Sequence, residues 1–346
     1  MPSLKEIKGR INSISSTLAI TSAMKMVAAA KLQKAQMAIQ NMLPYERRLH
    51  SMLIDLMGAV NMSAPASEEG SARLVSLSNQ PDHTESEGAY SLMAQRQVRK
   101  VAIVAFASNS SLCGAFNSNA IREATAVINE YRASGLGDAD ITVYSVGRKM
   151  AEAMKKLGFP SPADFTKMSD SPSYDAASAL AQELFDGFVS GRFDKVELVY
   201  NHYKSTSSQP TTRQTYLPLS LADATADIQV GKITDSASES DTNRGAEPVG
   251  APVVRQGSPT TETPDLIVEP SKEELIATLL PKVVRLRVFT TLLDSTAAEH
   301  AARTVAMQLA TDNGNDLLQE LTLEYNKGRQ QKITSEILDI VGGSMQ

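Results

Sequence analysis

The strongest regularity in the chain is a helical stripe of apolar positions at each end. Leu4, Ile7, Ile11, Ile14 and Leu18 follow one another at alternating short steps, the spacing that lines up one face of a helix and forms the seam of a coiled coil. The stripe then shifts phase and continues through Met24, Val27, Ala28, Leu32, Ala35 and Ile39. Ser3 and Glu6 stand at the capping-box spacing, in which hydroxyl and carboxylate each satisfy an amide of the first turn. No Gly or Pro intervenes between Arg10 and Leu43, so the spacing predicts a rod of roughly 60 Å. Pro44, lacking an amide donor, is expected to kink or end it.

The C-terminal segment repeats this design. Pro270 precedes a second capping-box pair, Ser271 and Glu274, and the stripe runs through Val283, Leu286, Leu293, Ala297, His300, Thr304 and Met307, with Thr290 filling the gap. Pro281 falls in an early turn and Gly314 is the weakest interior point. A helix continued almost to Gly342 approaches ~100 Å, longer than any compact core. Such a rod must pair with a partner or pass through other subunits, and the two stripes are expected to pair antiparallel with each other.

The pattern changes between the rods. Val98–Ala107 is an apolar run suited to a buried parallel strand, Ile141–Val146 and Val196–Tyr203 read as further strands, and Thr215–Leu219 as an edge strand. Helical patterns at Ile121–Tyr131, Met150–Leu157 and Tyr174–Phe188 alternate with them. The predicted fold class is α/β: a long antiparallel coiled coil of the N- and C-terminal helices plus a small Rossmann-like α/β domain. The expected boundaries are 1–60 for the first shaft helix, 61–97 for a polar insertion or linker, 98–220 for the α/β domain, 221–264 for an acidic disordered insertion, and 265–346 for the second shaft helix. Within these, residues 63–95 and 221–264 have the polar, Pro-bearing composition of surface loops or disorder.

Composition narrows the function. Of 346 residues none is Trp, 14 are Met and aromatics make up 5%, which favours helix packing over a β-sandwich. The net charge of −5 argues against a nucleic-acid binder. Residues 1–48 are nevertheless basic, with eight Lys or Arg against two acids, whereas 221–270 carry nine acids against three bases. The single cysteine, Cys113, excludes an intrachain disulfide and a Cys-based zinc site, and the four His are scattered. No apolar run is long enough to span a bilayer and no signal-peptide core stands at the N-terminus, so a soluble or peripheral protein in a reducing compartment is expected.

No catalytic pattern emerges. There is no phosphate-binding G-x-x-x-x-G-K-[ST] loop and no G-x-G-x-x-G after the first strand. Ser108–Asn119, SNSSLCGAFNSN, lies where α/β sheets bind ligands, but its small residues and Asn suit a turn and a helix cap. The expectation is no catalytic residue, no cofactor and no metal.

The informative motifs are ITSAMKMVAAAKLQKAQ at 20–36, RTVAMQLATDNGNDLLQEL at 303–321 and LEYNKGRQQKITSEILDIVGG at 323–343, with SLCG at 111–114. Together and in this order they closely resemble the gamma subunits of rotary ATP synthases, although Ser344 stands where that family usually has Ala. The resemblance implies a non-catalytic central stalk, or rotor, in a bacterial complex, peripheral on the cytoplasmic side of the inner membrane. It would couple ion-driven ring rotation to conformational change in the catalytic subunits. The implied partners are the alpha and beta subunits of the catalytic hexamer, the epsilon subunit and the membrane c-ring, with no nucleic acid. The implied contacts with the catalytic subunits are Lys25, Arg329, Gln330 and Thr334. Ile337, Ile340, Val341 and Met345 would form an apolar bearing tip, and Glu269 a foot contact with the ring or epsilon subunit. The competing readings are a nucleotide-binding enzyme with helical arms and a self-associating coiled-coil scaffold with a non-catalytic α/β domain.

Overall fold

The computed structural model describes residues 3–62, 92, 96–219, 269 and 271–344. The expected insertions at 63–95 (save Leu92) and 221–264, and Met345 at the tip, lie outside the described residues. Two helices of unusual length dominate: α1, Leu4–Met62, and α6, Lys272–Ser344. Each begins at a hydroxyl cap, Ser3 Oγ accepting the Glu6 amide at 3.3 Å and Ser271 Oγ accepting the Glu274 amide at 3.1 Å. The first capping box is only half formed, because the Glu6 carboxylate turns to Arg10 at 3.0 Å.

The helices pair antiparallel. Leu4 lies against Gly328, Leu18 against Gly314, Thr21 bonds Thr311, and Leu32 and Ala35 pack with Ala297 and Ala301. The seam residues Ile7, Ala28, Leu32 and Ala35 are buried, as are Val283, Leu286, Leu293, Ala297, His300 and Met307 opposite. Val27, placed in the stripe by its spacing, is 57% exposed; Ala28 takes the seam position, and the Thr21–Thr311 hydrogen bond occupies the point where the apolar phase slips.

Helix α1 does not end at Pro44. Its continuation presents Leu49, Leu53 and Leu56 to the main core, and that burial outweighs the backbone hydrogen bond the proline cannot donate. Pro281 is carried within α6 in the same way, flanked by buried Leu280 and Val283.

Among the described residues the head holds a four-stranded sheet in the order β2-β1-β3-β4, where β1 is Val101–Phe106, β2 Ile141–Val146, β3 Lys195–Asn201 and β4 Thr211–Leu217. The first three are parallel, and β4 closes one edge antiparallel, starting earlier than its sequence pattern suggested. Helices α2 (Phe116–Ala133) and α3 (Arg148–Lys156) cover one face, packing on Val101, Ile103 and Ala105. The alternate residues Ala102, Val104 and Phe106 face α5 (Tyr174–Val189) and the first turns of α6. Every residue of β1 is buried because both faces are covered, which is why its sequence is continuously apolar rather than alternating. A short helix α4, Thr166–Asp170, was not signalled by the sequence. The second long helix thus serves twice: its first half is a layer of the head, its second half is the shaft.

Candidate functional site: the end of the shaft and its joint with the head

Because Leu4 opens α1 and meets Gly328, residues 329–344 of α6 run on past that contact as a single helix, a projection of roughly 24 Å. Leu321 is the last buried residue along α6 among the described ones. Arg329, Gln330, Thr334, Ile337, Ile340 and Val341 all lie on this projection and all are exposed. Thr334 Oγ1 bonds back to the Gln330 carbonyl at 2.9 Å, and Lys332 pairs with Glu336 at 3.7 Å, so no described carboxylate engages Arg329. Toward the end the surface becomes apolar, with Ile337 55%, Ile340 71% and Val341 48% exposed and Asp339 the one charge beyond Glu336 among the described residues. Isolated helices this short are marginal in water, and exposed apolar side chains at helical spacing call for an enclosing surface.

The structure does not bring Lys25 to this end. Lys25, half-buried, stands one turn beyond Thr21, whose partner is Thr311, which leaves it roughly 33 Å along the rod from Arg329. Glu269 is exposed just before the Ser271 cap, at the opposite extremity of α6. The sequence-derived contacts therefore fall at three levels of one rod.

At the C-terminal ends of the strands, where α/β folds receive ligands, the described segments pack closely on one another. Gly147, at φ +97°, lies so close to the chain that a Cβ would come 2.0 Å from the Ala107 carbonyl oxygen. Asn117 Oδ1 accepts the Ser108 amide at 3.0 Å, and its Nδ2 approaches Cys113 Sγ at 3.1 Å. Cys113 is buried with Phe116 against Ala298 of α6. The SNSSLCG segment thus works as a docking loop for the shaft.

That joint is polar. Asp294 on α6 accepts the Tyr203 amide at 2.9 Å through Oδ1 and lies 2.6 Å from His202 Nδ1 through Oδ2. This carboxylate raises the His202 pKa above its ordinary value, against the opposing effect of burial. Gln36 of α1 donates to the Tyr203 hydroxyl at 2.7 Å. Between two and three turns farther along α6, Arg303 pairs with buried Glu299 at 2.8 Å and donates to Ser110 of the docking loop at 2.7 Å. Burial lifts the Glu299 carboxyl despite Arg303, and burial, with Arg303 and Lys31 nearby, pushes His300 down to about 4. His300 is therefore neutral at physiological pH.

Sequence reasoning missed a second charged cluster. Glu197, in the middle of β3 and 1% exposed, takes Lys195 at 2.6 Å, Arg213 of β4 at 2.6 Å and the Tyr131 hydroxyl of α2 at 2.6 Å, while Arg213 also reaches Glu130. Burial would raise the Glu197 pKa, but these donors together hold it below the usual carboxylate range. A lone Glu inside an apolar strand was the available signal, visible in KVELVYN.

A rod of paired helices, a head whose strand-end loop docks on that rod, and an exposed apolar helix end define a class: a shaft subunit shaped to be held by other proteins. The family profile described as ATP synthase matches residues 3–345. The ATP synthase gamma chain of Phocaeicola vulgatus is 49% identical over 345 residues, and that of Bacteroides thetaiotaomicron 46% over 346, each covering all of both chains. The chain belongs to the ATP synthase gamma chain family. Its fold is also found in the Euglena gracilis mitochondrial ATP synthase: in the assembly of OSCP, F1 and c-ring at TM-score 0.54, covering 99% of this chain and 93% of that one, and in the rotor at 0.51, covering 95% and 98%, both at 19% identity.

Proposed function

We propose that this chain is the central-stalk rotor of a membrane-bound ATP synthase, itself non-catalytic, turning inside a catalytic hexamer of alpha and beta subunits and standing on an ion-carrying c-ring beside an epsilon subunit. The observation that carries this reading is the projection of α6 beyond α1. A single helix with exposed Ile337, Ile340 and Val341 suits a sleeve of other chains, and its apolar character lets it turn there without breaking ion pairs. The asymmetric rod below would impose a different conformation on each catalytic subunit in turn, acting by population shift rather than by touching nucleotide. No described helix is long and apolar enough to cross a membrane, so attachment would run through partners on the cytoplasmic face, with Glu269 at the foot.

In this reading Arg329, Gln330 and Thr334 form a catch for a catalytic subunit, and Lys25 a second contact lower on the rod. Arg329 offers charge-assisted, two-pronged donation to a carboxylate, worth ~1 kcal/mol if exposed and more if partly desolvated at an interface. The test is ATP hydrolysis by the reconstituted soluble complex, normalised to assembled particles. Arg329→Ala with Gln330→Ala is expected to slow turnover severalfold while leaving nucleotide binding intact. Parental turnover in fully assembled particles overturns the catch. Failure of the parental chain to assemble with alpha and beta subunits overturns the rotor reading itself.

A further inference from the structure

Among the polar contacts that join head and shaft, one residue pair is common to both long helices and the sheet. His202 and Tyr203 leave the end of β3 and enter the angle between α1 and α6. Tyr203 packs against both the Leu32–Ala297 cluster and the Cys113–Phe116–Ala298 cluster. Its hydroxyl meets Gln36 of α1 and its amide meets Asp294 of α6. Asp294 thus receives both adjacent residues, one through each carboxylate oxygen, the His202 ring at Oδ2 and the Tyr203 amide at Oδ1.

We infer that His202 and Asp294 are positioning residues that key the head to the shaft, with Tyr203 as the wedge, so that head and rod move as one body. The inference concerns this chain alone; its consequence for coupling rests on the rotor reading. The charged groups that act on the His202 ring are Asp294 of α6, which favours the imidazolium, and Lys204 of the same turn, which opposes it. From α1 the wedge is met by neutral Gln36. His202 gains its partner on folding, so its contribution is fully present below its ordinary pKa of 6.5 and is lost as pH rises through the higher folded value. The neutral ring can still donate from Nδ1, so the key weakens on deprotonation rather than vanishing.

The test is hydrogen exchange at the Tyr203 amide in the full chain within the assembled complex, corrected for intrinsic rates, from pH 6 to 9. In the wild type, protection is expected to fall about tenfold across this range, the difference between a charge-assisted and a neutral hydrogen bond. His202→Gln should make protection independent of pH, and His202→Arg should keep it high at pH 9. Asp294→Asn should lower it at every pH. A wild-type profile that is flat, or that His202→Gln leaves unchanged, overturns the key. In a second arm, vesicles holding the whole synthase should pump fewer ions per ATP with Asp294→Asn, at least twofold fewer. Unchanged pumping with lost Tyr203 protection would confine the key to structure and remove its coupling role. Coupled pumping by a complex lacking the whole chain would instead defeat the rotor reading and leave the exchange result standing.

Discussion

Arg213→Leu is expected to lower the stability of the head by about 2–3 kcal/mol and to move its acid unfolding to higher pH. Removing one member of a buried ion pair leaves the other charge without compensation, a loss of about 3–5 kcal/mol when nothing remains to replace it. Here Lys195 and Tyr131 still hold Glu197, and Arg213 is itself 27% exposed, so the loss falls at or below the lower end. The sign of the pH effect follows from Glu197. Its folded pKa lies below the ordinary 4.5, so its contribution is present above that value and lost as pH falls through the folded pKa. Weakening its donors raises the folded pKa and brings the loss forward. Urea unfolding at several pH values, followed by Tyr fluorescence in a chain without Trp, measures both effects. Glu197→Leu combined with Arg213→Leu should recover part of the stability, because no buried carboxylate is then stranded, although Lys195 and the Tyr131 hydroxyl lose their acceptor. A double substitution as damaging as Arg213→Leu alone would show that the cluster stabilises the head by packing and not by charge.

The second expectation concerns the shaft. Gly314→Val should open the pairing of the two long helices around the Leu18 level and cost about 1–3 kcal/mol of overpacking. A Cβ at Gly314 would come 2.6 Å from Leu18 Cδ2 and 3.2 Å from its Cγ, so a branched side chain there requires the whole Leu18 side chain to move off the seam. Cysteines placed at the Thr21 and Thr311 positions, whose hydroxyls are 3.1 Å apart, report the pairing directly. Crosslinking within one chain should be efficient on the parental background with Cys113 replaced, and should fall sharply with Gly314→Val. Leu18→Ala should restore it by vacating the space. Equal crosslinking in all three backgrounds would mean that Gly314 is only a weak helix former, as its sequence position suggests.

That glycine marks the division between what the chain states locally and what emerges on folding. The two rods, their caps and the strands of the head were legible because each depends on neighbours within a few residues. Three- and four-residue spacing fixes a helical face, Ser271 lies three residues from the amide it caps, and a continuous apolar run such as VAIVAF marks a strand covered on both faces. The motifs at 20–36 and 303–343 carried the family as well.

Tertiary structure decided what depends on register between distant segments. Only the opposition of Leu4 to Gly328 sets how far α6 projects, and hence separates Arg329 from Lys25 along the rod. Burial of Leu49, Leu53 and Leu56 carries α1 through Pro44, which local propensity alone would make a break. Glu197 meets Tyr131 across 66 residues, and His202 meets Asp294 across 92, distances over which no periodicity in the sequence reports. Local pattern alone set which faces are apolar and which segments form the two long helices and the strands, while several boundaries, such as the start of β4, moved by a few residues and α4 was not signalled. Which face meets which, and which charges are thereby buried together, was decided by packing, because a hydrophobic stripe specifies that it must be covered but not by what.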